Sequence, residues 1–286
     1  MKKIYRPSEL LSFLKETGLY AKKGLSQNFL IDGNIIQKIV KTAEIQKGDF
    51  VVEIGPGPGA LTQALLDQGA RVLAIEMDPL FAKELERLQT EDNRLEIVCQ
   101  DVLTYPLAER LKGGGVNRGG NKVKVVANLP YHITTPILTL LLPLYGDVES
   151  LTIMVQKEFA QRMFGKKNTP DYSSFTIFME FYAEVKSHFT VSPNCFYPRP
   201  KVQSSVVHCK LTPPRLELEK DVDLFFQLTR TAFGQRRKML RSSLKDLYPP
   251  ERIEKALTAL QLPLTARPED LSIDTFLALY SLLHKI

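Results

Sequence analysis

The chain has 286 residues, 44% hydrophobic and 24% charged, which is enough apolar material for a packed core and more length than one small domain uses. No apolar run approaches the roughly 18 residues of a membrane span, and Lys2 and Lys3 do not open a signal peptide, because Glu9, Lys15 and Glu16 interrupt the apolar stretch behind them. The three cysteines (Cys99, Cys195, Cys209) show no metal or disulfide spacing, which fits a reducing, cytoplasmic setting.

The formal net charge of +6 is carried by the two ends. Residues 1–30 hold six Lys/Arg against two Glu, and residues 213–286 hold twelve against ten acids. The stretch between is balanced, so the excess suits an anionic polymer lying against both ends.

From residue 50 to about 157 short apolar runs alternate with helix-like stretches. Strands are predicted at Phe50–Ile54, Arg71–Ile75, Leu95–Val98, Val123–Ala127 and Leu151–Val155, with helices near 59–68, 79–88 and 134–145. That alternation is the mark of a parallel sheet covered on both faces. Two β-rich runs, Phe175–Val185 and Val202–Leu211, read as an antiparallel hairpin closing the sheet edge. The segment Lys112–Lys122 (KGGGVNRGGNK) holds five glycines and reads as a flexible surface insertion. Thr212-Pro213-Pro214 is the expected domain boundary. It separates a domain at 1–212 from a smaller all-helical domain at 213–286.

The first strand ends in Glu53-Ile54-Gly55-Pro56-Gly57-Pro58-Gly59, a turn that opens a helix. Glycines there let backbone approach a ligand. The dinucleotide fingerprint G-x-G-x-x-G is not met, since the third glycine comes one residue early. The Glu-x-Gly-x-Gly-x-Gly form is instead similar to that of Rossmann-like S-adenosylmethionine-dependent methyltransferases. Glu76 ends the second strand, 21 residues after Gly55, at about the interval where an acid accepts from ribose hydroxyls. Asp101 follows the third strand and could reach an adenine amino group. All three features fall at carboxyl ends of strands, where open α/β sheets bind ligands.

The fourth strand ends in Asn128-Leu129-Pro130-Tyr131. This suits methylation of an exocyclic amine such as adenine N6, whose lone pair is delocalised into the ring. Two acceptors on its two N–H groups would free that lone pair. The side-chain carbonyl of Asn128 is one, and the backbone carbonyl of Leu129, stiffened by Pro130, is the other. Tyr131 offers a face on which a base can stack.

These motifs, in order over nearly the whole chain, resemble the ribosomal RNA adenine N6,N6-dimethyltransferase family, in its small-subunit (KsgA/RsmA) branch. Gly24-Leu25-Ser26-Gln27-Asn28-Phe29-Leu30 resembles the family's opening motif. The resemblance implies that Gln27, Asn28 and Leu30 line the cofactor with Gly55, Gly57, Glu76, Asp101 and Asn128. Ser192–Val202 (SPNCFYPRPKV) resembles the loop whose aromatic packs on the target base, which implies Phe196 as a second stacking ring. Ala232–Lys238 (AFGQRRK) resembles the C-terminal signature. The catalytic set implied is Asn128, Leu129, Pro130, Tyr131 and Phe196.

Asn194-Cys195 and the long glycine-rich insertion depart from the family pattern and touch loop geometry only. The implied fold is α/β, a class I methyltransferase sheet with a small helical C-terminal domain. The implied reaction places methyl groups from S-adenosylmethionine on N6 of two adjacent adenines of 16S rRNA, leaving S-adenosylhomocysteine and needing no metal. The implied partner of a monomeric enzyme is the pre-30S particle. A large-subunit RNA methyltransferase of the antibiotic-resistance type, or an RNA-binding assembly factor without catalysis, remain the alternatives.

From Asp223 to Leu247 the periodicity predicts one helix. Phe225, Leu228, Ala232 and Met239 form its apolar stripe, with Arg230, Arg237, Arg241 and Lys245 opposite and Lys238 at the margin. Arg237 and Arg241, with Lys22 and Lys23 near the N-terminus, are the candidate RNA-phosphate contacts. Arg236 falls near the apolar stripe and is expected to be a structural, paired arginine.

Overall fold

The computed structural model describes residues 4–21, 27–112, 122–214, 216 and 219–284. Lys22, Lys23 and most of the glycine-rich insertion (113–121) lie outside the described residues. The first half contains α1 (Pro7–Thr17), β1 (Phe29–Leu30), α2 (Gly33–Thr42), β2 (Phe50–Ile54), α3 (Ala60–Asp67), β3 (Arg71–Glu76), α4 (Pro79–Leu85), β4 (Leu95–Cys99), α5 (Leu107–Leu111), β5 (Val123–Asn128) and α6 (Thr134–Leu141). There follow β6 (Val148–Gln156), α7 (Lys157–Met163), α8 (Ser174–Tyr182), β7 (Ala183–Val191), β8 (Phe196–Tyr197) and β9 (Ser204–Leu211). The chain ends in α9 (Glu219–Gly234), α10 (Leu240–Ser243), α11 (Pro250–Ala259) and α12 (Ile273–His284).

Seven strands form one sheet in the order β4-β3-β2-β5-β6-β9-β7. The first five in that order pair parallel, with Val51 opposite both Val72 and Lys124, and β9 runs antiparallel to β6. Every residue of β2 is buried, as a strand covered on both faces requires. Acids cap two of the flanking helices. Asp32 accepts from the amides of Asn34 and Ile35 at the head of α2, and Asp78 accepts from Leu80 at the head of α4. The parallel pairing brings the ends of β2, β3, β4 and β5 to one edge, so Ile54, Glu76, Cys99 and Asn128 surround the same space.

A predicted strand is overturned. Phe175–Val185 is not a strand of an edge hairpin: Ser174–Tyr182 is the helix α8, and the strand beside β9 is Ala183–Val191. The aromatic content of the segment suggested β structure, but Phe175, Phe178, Phe181 and Tyr182 recur at helical spacing. Phe178 and Phe181 pack on Phe226 and Phe225 of α9, which favours the helix over any local strand preference.

The chain divides into two compact units. One comprises residues 1–160 and 185–211 and carries the sheet; the other comprises 161–184 and 212–286 and carries α8 to α12. The second unit therefore takes in residues 161–184, which lie within the predicted first domain. Its core is aromatic, built on Phe181, Phe225 and Phe276, and the buried Tyr172 donates to the carbonyl of Leu271 at 2.7 Å. Among the described residues no helix is long and apolar enough to cross a membrane.

Candidate active site

The glycine loop after β2 is held in a backbone form that few other residues accept. Gly57 and Gly59 have φ of 54° and 83°. A Cβ on Gly59 would meet Leu85 and Leu88 at 2.7 and 2.6 Å, and one on Gly57 would meet the Phe29 ring at 3.0 Å. Both positions thus need glycine for conformation and for space. The loop is fastened by Glu76 at the end of β3. Its Oε2 accepts from the Gly57 amide and its Oε1 from the Asp78 amide, each at 2.9 Å. Burial raises the Glu76 pKa above the ordinary carboxyl value, while the two amide bonds oppose that shift.

Asp101 stands after β4, where its Oδ1 accepts from the amide of Leu103 at 3.0 Å. Asn128 ends β5. Its Nδ2 donates to the backbone carbonyl of Asn28 at 2.9 Å, which fixes the amide plane and turns the side-chain carbonyl the other way. Leu129 is buried and its amide bonds to Met154, so the strand-end backbone is anchored on β6. The Tyr131 hydroxyl pairs with Ser204 Oγ at 2.8 Å, which sets the orientation of its half-buried ring.

These groups border one cleft with an empty volume of about 980 Å³, its mouth included. Gln27, Asn28, Gly55, Gly57, Glu76 and Asp101 are among the residues that line it. Asn128, Leu129, Pro130 and Tyr131 line it as well. Two residues implied by the resemblance are not there. Leu30 and Phe196 are opposite each other in the β1–β8 ribbon and both are buried in the core. Facing partners in an antiparallel pair project to the same side, so the ribbon that brings Asn28 to Asn128 turns Leu30 and Phe196 away from the cleft. Phe196 itself is 3% exposed.

Phe29, Met77 and His132 line the cleft and were not singled out from sequence. A signal for Met77 existed: it is a large apolar residue directly after a strand-ending acid, and it is 52% exposed. Glu53, behind the loop, is fully buried with its pKa pushed up to about 8, chiefly by burial; its Oε2 has no partner among the described residues.

The donor set fits S-adenosylmethionine. Carboxylates of Glu76 and Asp101 can accept from hydroxyl or amino groups, apolar Met77 and Val102 offer flat contact to a base, and the glycine loop admits close approach.

In the second unit the predicted long helix is interrupted. α9 ends at Gly234, a turn follows, and α10 starts at Leu240, so Arg230, Arg237, Arg241 and Lys245 do not form one helical face. Arg237 is exposed, whereas Arg241 pairs with Glu254 at 3.4 Å. Arg236 is a paired arginine as expected. It binds Glu269 at 2.8 Å and the carbonyls of Pro170 and Thr169 at 2.6 and 2.5 Å.

Comparison with known proteins agrees with this geometry. A family model described as ribosomal RNA adenine dimethylase matches residues 18–285. The chain is 52% identical over 277 residues to ribosomal RNA small subunit methyltransferase A of Protochlamydia amoebophila, covering 97% of this chain and 96% of that protein. It is 46% identical to the protein of the same name from Chlamydia muridarum, covering 96% of each chain. Among solved structures it resembles the 23S rRNA methyltransferase ErmE, with a TM-score of 0.66 and 29% identity over 90% of this chain and all of that one. It also resembles a dimethyladenosine transferase from Plasmodium falciparum, with a TM-score of 0.68 and 25% identity over 88% of this chain and 95% of that one. With its cleft built from the motifs that the match spans, the chain belongs to the ribosomal RNA adenine dimethylase family.

Proposed function

We infer that this chain is an S-adenosylmethionine-dependent methyltransferase that dimethylates N6 of two adjacent adenines in small-subunit rRNA. The observation that carries the chemistry is the Asn128–Asn28 hydrogen bond, which spends the donor end of the Asn128 amide and leaves Oδ1 to accept. When bound, S-adenosylmethionine supplies a methyl group made electrophilic by its positively charged sulfur. Asn128 Oδ1 and the Leu129 carbonyl accept from the two N6–H groups and draw the nitrogen toward a tetrahedral form, which frees its lone pair. Pro130 stiffens the turn that carries the second acceptor. Tyr131 takes the unstacked base on its ring. The N6 proton is lost once the new C–N bond has formed, so no strong base is required; the second transfer repeats the first with one acceptor released.

Identity of about half to proteins named small subunit methyltransferase A, over nearly their whole length, supports the small subunit over the large one. The likeness to ErmE is lower in sequence, and it keeps a large-subunit substrate as the reading to test against. The particle acted on is an immature small subunit in the cytoplasm, met by a monomeric enzyme. The test is methyl transfer to unmethylated small-subunit particles and to unmethylated large-subunit rRNA, with the products mapped. Dimethyladenosine in the small-subunit RNA supports the reading; product in the large-subunit RNA alone, or none in either, overturns it.

A further inference from the structure

The β1–β8 ribbon sorts two neighbouring aromatics onto opposite sides. Phe196 enters the core opposite Leu30, while Tyr197 pairs with Phe29 and is 40% exposed. Phe29 is a wall of the cleft. Facing partners share a side of the ribbon and their Cβ atoms lie about 4.5–5.5 Å apart. Tyr197 is therefore next to the cleft wall, on the same side and one step outward.

Tyr197 there borders a shallow groove with Leu11, Leu14, Lys15 and Tyr20. Tyr20 is 70% exposed and Leu11 46%. Lys15 lines it, and Arg199 and Lys201 follow Tyr197 by two and four residues; all three are exposed, with no ion pair among the described residues. Aromatic rings available on their faces, with unpaired cations beside them, are what single-stranded nucleic acid binds: bases stack on the rings and phosphates meet the cations. A protein partner would more often leave the centre of such a patch free of charge.

We propose that Tyr197 and Tyr20 form a subsite for the unpaired nucleotide next to the target adenine, stacking its base while Lys15, Arg199 and Lys201 hold flanking phosphate. This rests on the reading of the chain as an RNA methyltransferase. It adds a binding element outside the cleft, and it gives the aromatic loop a role at the neighbouring base. The occupant is a single-stranded RNA nucleotide.

The experiment is steady-state methyl transfer to unmethylated small-subunit particles. Tyr197→Ala should raise the KM for particles about tenfold, with kcat and the KM for S-adenosylmethionine within about twofold. Tyr197→Phe, which keeps the ring face, should stay within about twofold of wild type, and Tyr20→Ala should raise the particle KM by about threefold or more. A photo-crosslinking amino acid in place of Tyr197 should attach to rRNA. Crosslinking to ribosomal protein only, an unchanged particle KM in both alanine variants, or a Phe variant as impaired as the Ala variant overturns the subsite. Should Tyr197→Ala not fold, judged by melting and cofactor binding, Tyr20→Ala decides alone, because its ring is largely in solvent. Wild-type enzyme that transfers no methyl to any RNA overturns the functional reading itself, a result distinct from failure of the subsite.

Discussion

Asn128 donates its amide to the carbonyl of Asn28 across 100 residues of sequence. The contact joins the end of a central strand to the short ribbon formed by Phe29–Leu30 and Phe196–Tyr197. An asparagine amide rotates through a broad range when unrestrained. Here its donor end is committed, so its acceptor end is aimed before substrate arrives, which is the condition for a preorganised site.

Asn128→Ala should lower the single-turnover rate of methyl transfer about 10²–10³-fold, the usual effect of removing one preorganised partner. Asn128→Asp keeps an acceptor but sets a carboxylate against the Asn28 carbonyl, and should also be strongly impaired. Both should fold. A near wild-type rate in the alanine variant would remove Asn128 from the chemistry.

Glu76 both fastens the glycine loop and faces the cleft. Glu76→Ala leaves the Gly57 and Asp78 amides without their acceptor, at about 1–3 kcal/mol for each buried donor. Cofactor affinity should fall tenfold or more, whereas particle binding in the absence of cofactor should change little. Calorimetry with S-adenosylmethionine and S-adenosylhomocysteine reads the first, and unchanged affinity for both would exclude Glu76 from the site.

Glu53 gives the protein a pH-dependent stability of definite sign. Its folded pKa, raised by burial from the usual carboxyl value of 4.5 to about 8, means that the native state holds a proton which the unfolded chain gives up. Its contribution is full below the unfolded pKa and is lost as pH rises toward 8. Stability should therefore fall between about pH 5 and 8, by roughly 1 kcal/mol per pH unit from this group alone. Glu53→Gln should flatten that slope and melt higher than wild type at pH 8. Parallel melting curves for the two proteins across this range would contradict a buried protonated Glu53.

The three arginines near the end of α9 should separate by experiment. Arg236→Ala leaves two carbonyls and Glu269 without their donor and should cost about 1–3 kcal/mol, seen as a lower Tm, with cofactor affinity unchanged. Arg236→Lys should recover little, because one ammonium cannot replace a planar fork. Arg237→Ala should leave Tm unchanged and flatten the plot of log particle affinity against log salt by about 0.7–0.9. Arg241→Ala should flatten it less, since Glu254 already neutralises part of its charge. Equal slopes for wild type and Arg237→Ala would mean that this arginine is only solvated.

Much of the site was legible in the residues themselves. Parallel strands of buried apolar residues bring their carboxyl ends to one edge whatever else the chain does, so Gly55, Gly57, Glu76, Asp101 and Asn128 could be grouped from sequence. Arg236 was recognisable as structural because it fell near an apolar stripe. What could not be read was orientation set by distant partners. A two-residue ribbon decided that Phe196 and Leu30 turn inward and Tyr197 outward, and its pairing joins segments more than 160 residues apart. Packing of Phe178 and Phe181 on α9 made a helix of an aromatic run whose composition suits a strand. The break after Gly234 undid a charged helical face that periodicity alone had continued. Local spacing determines which side chains share a strand end or a helix stripe; which way a short ribbon faces is decided by the surface that covers it, and that surface exists only after the chain has folded.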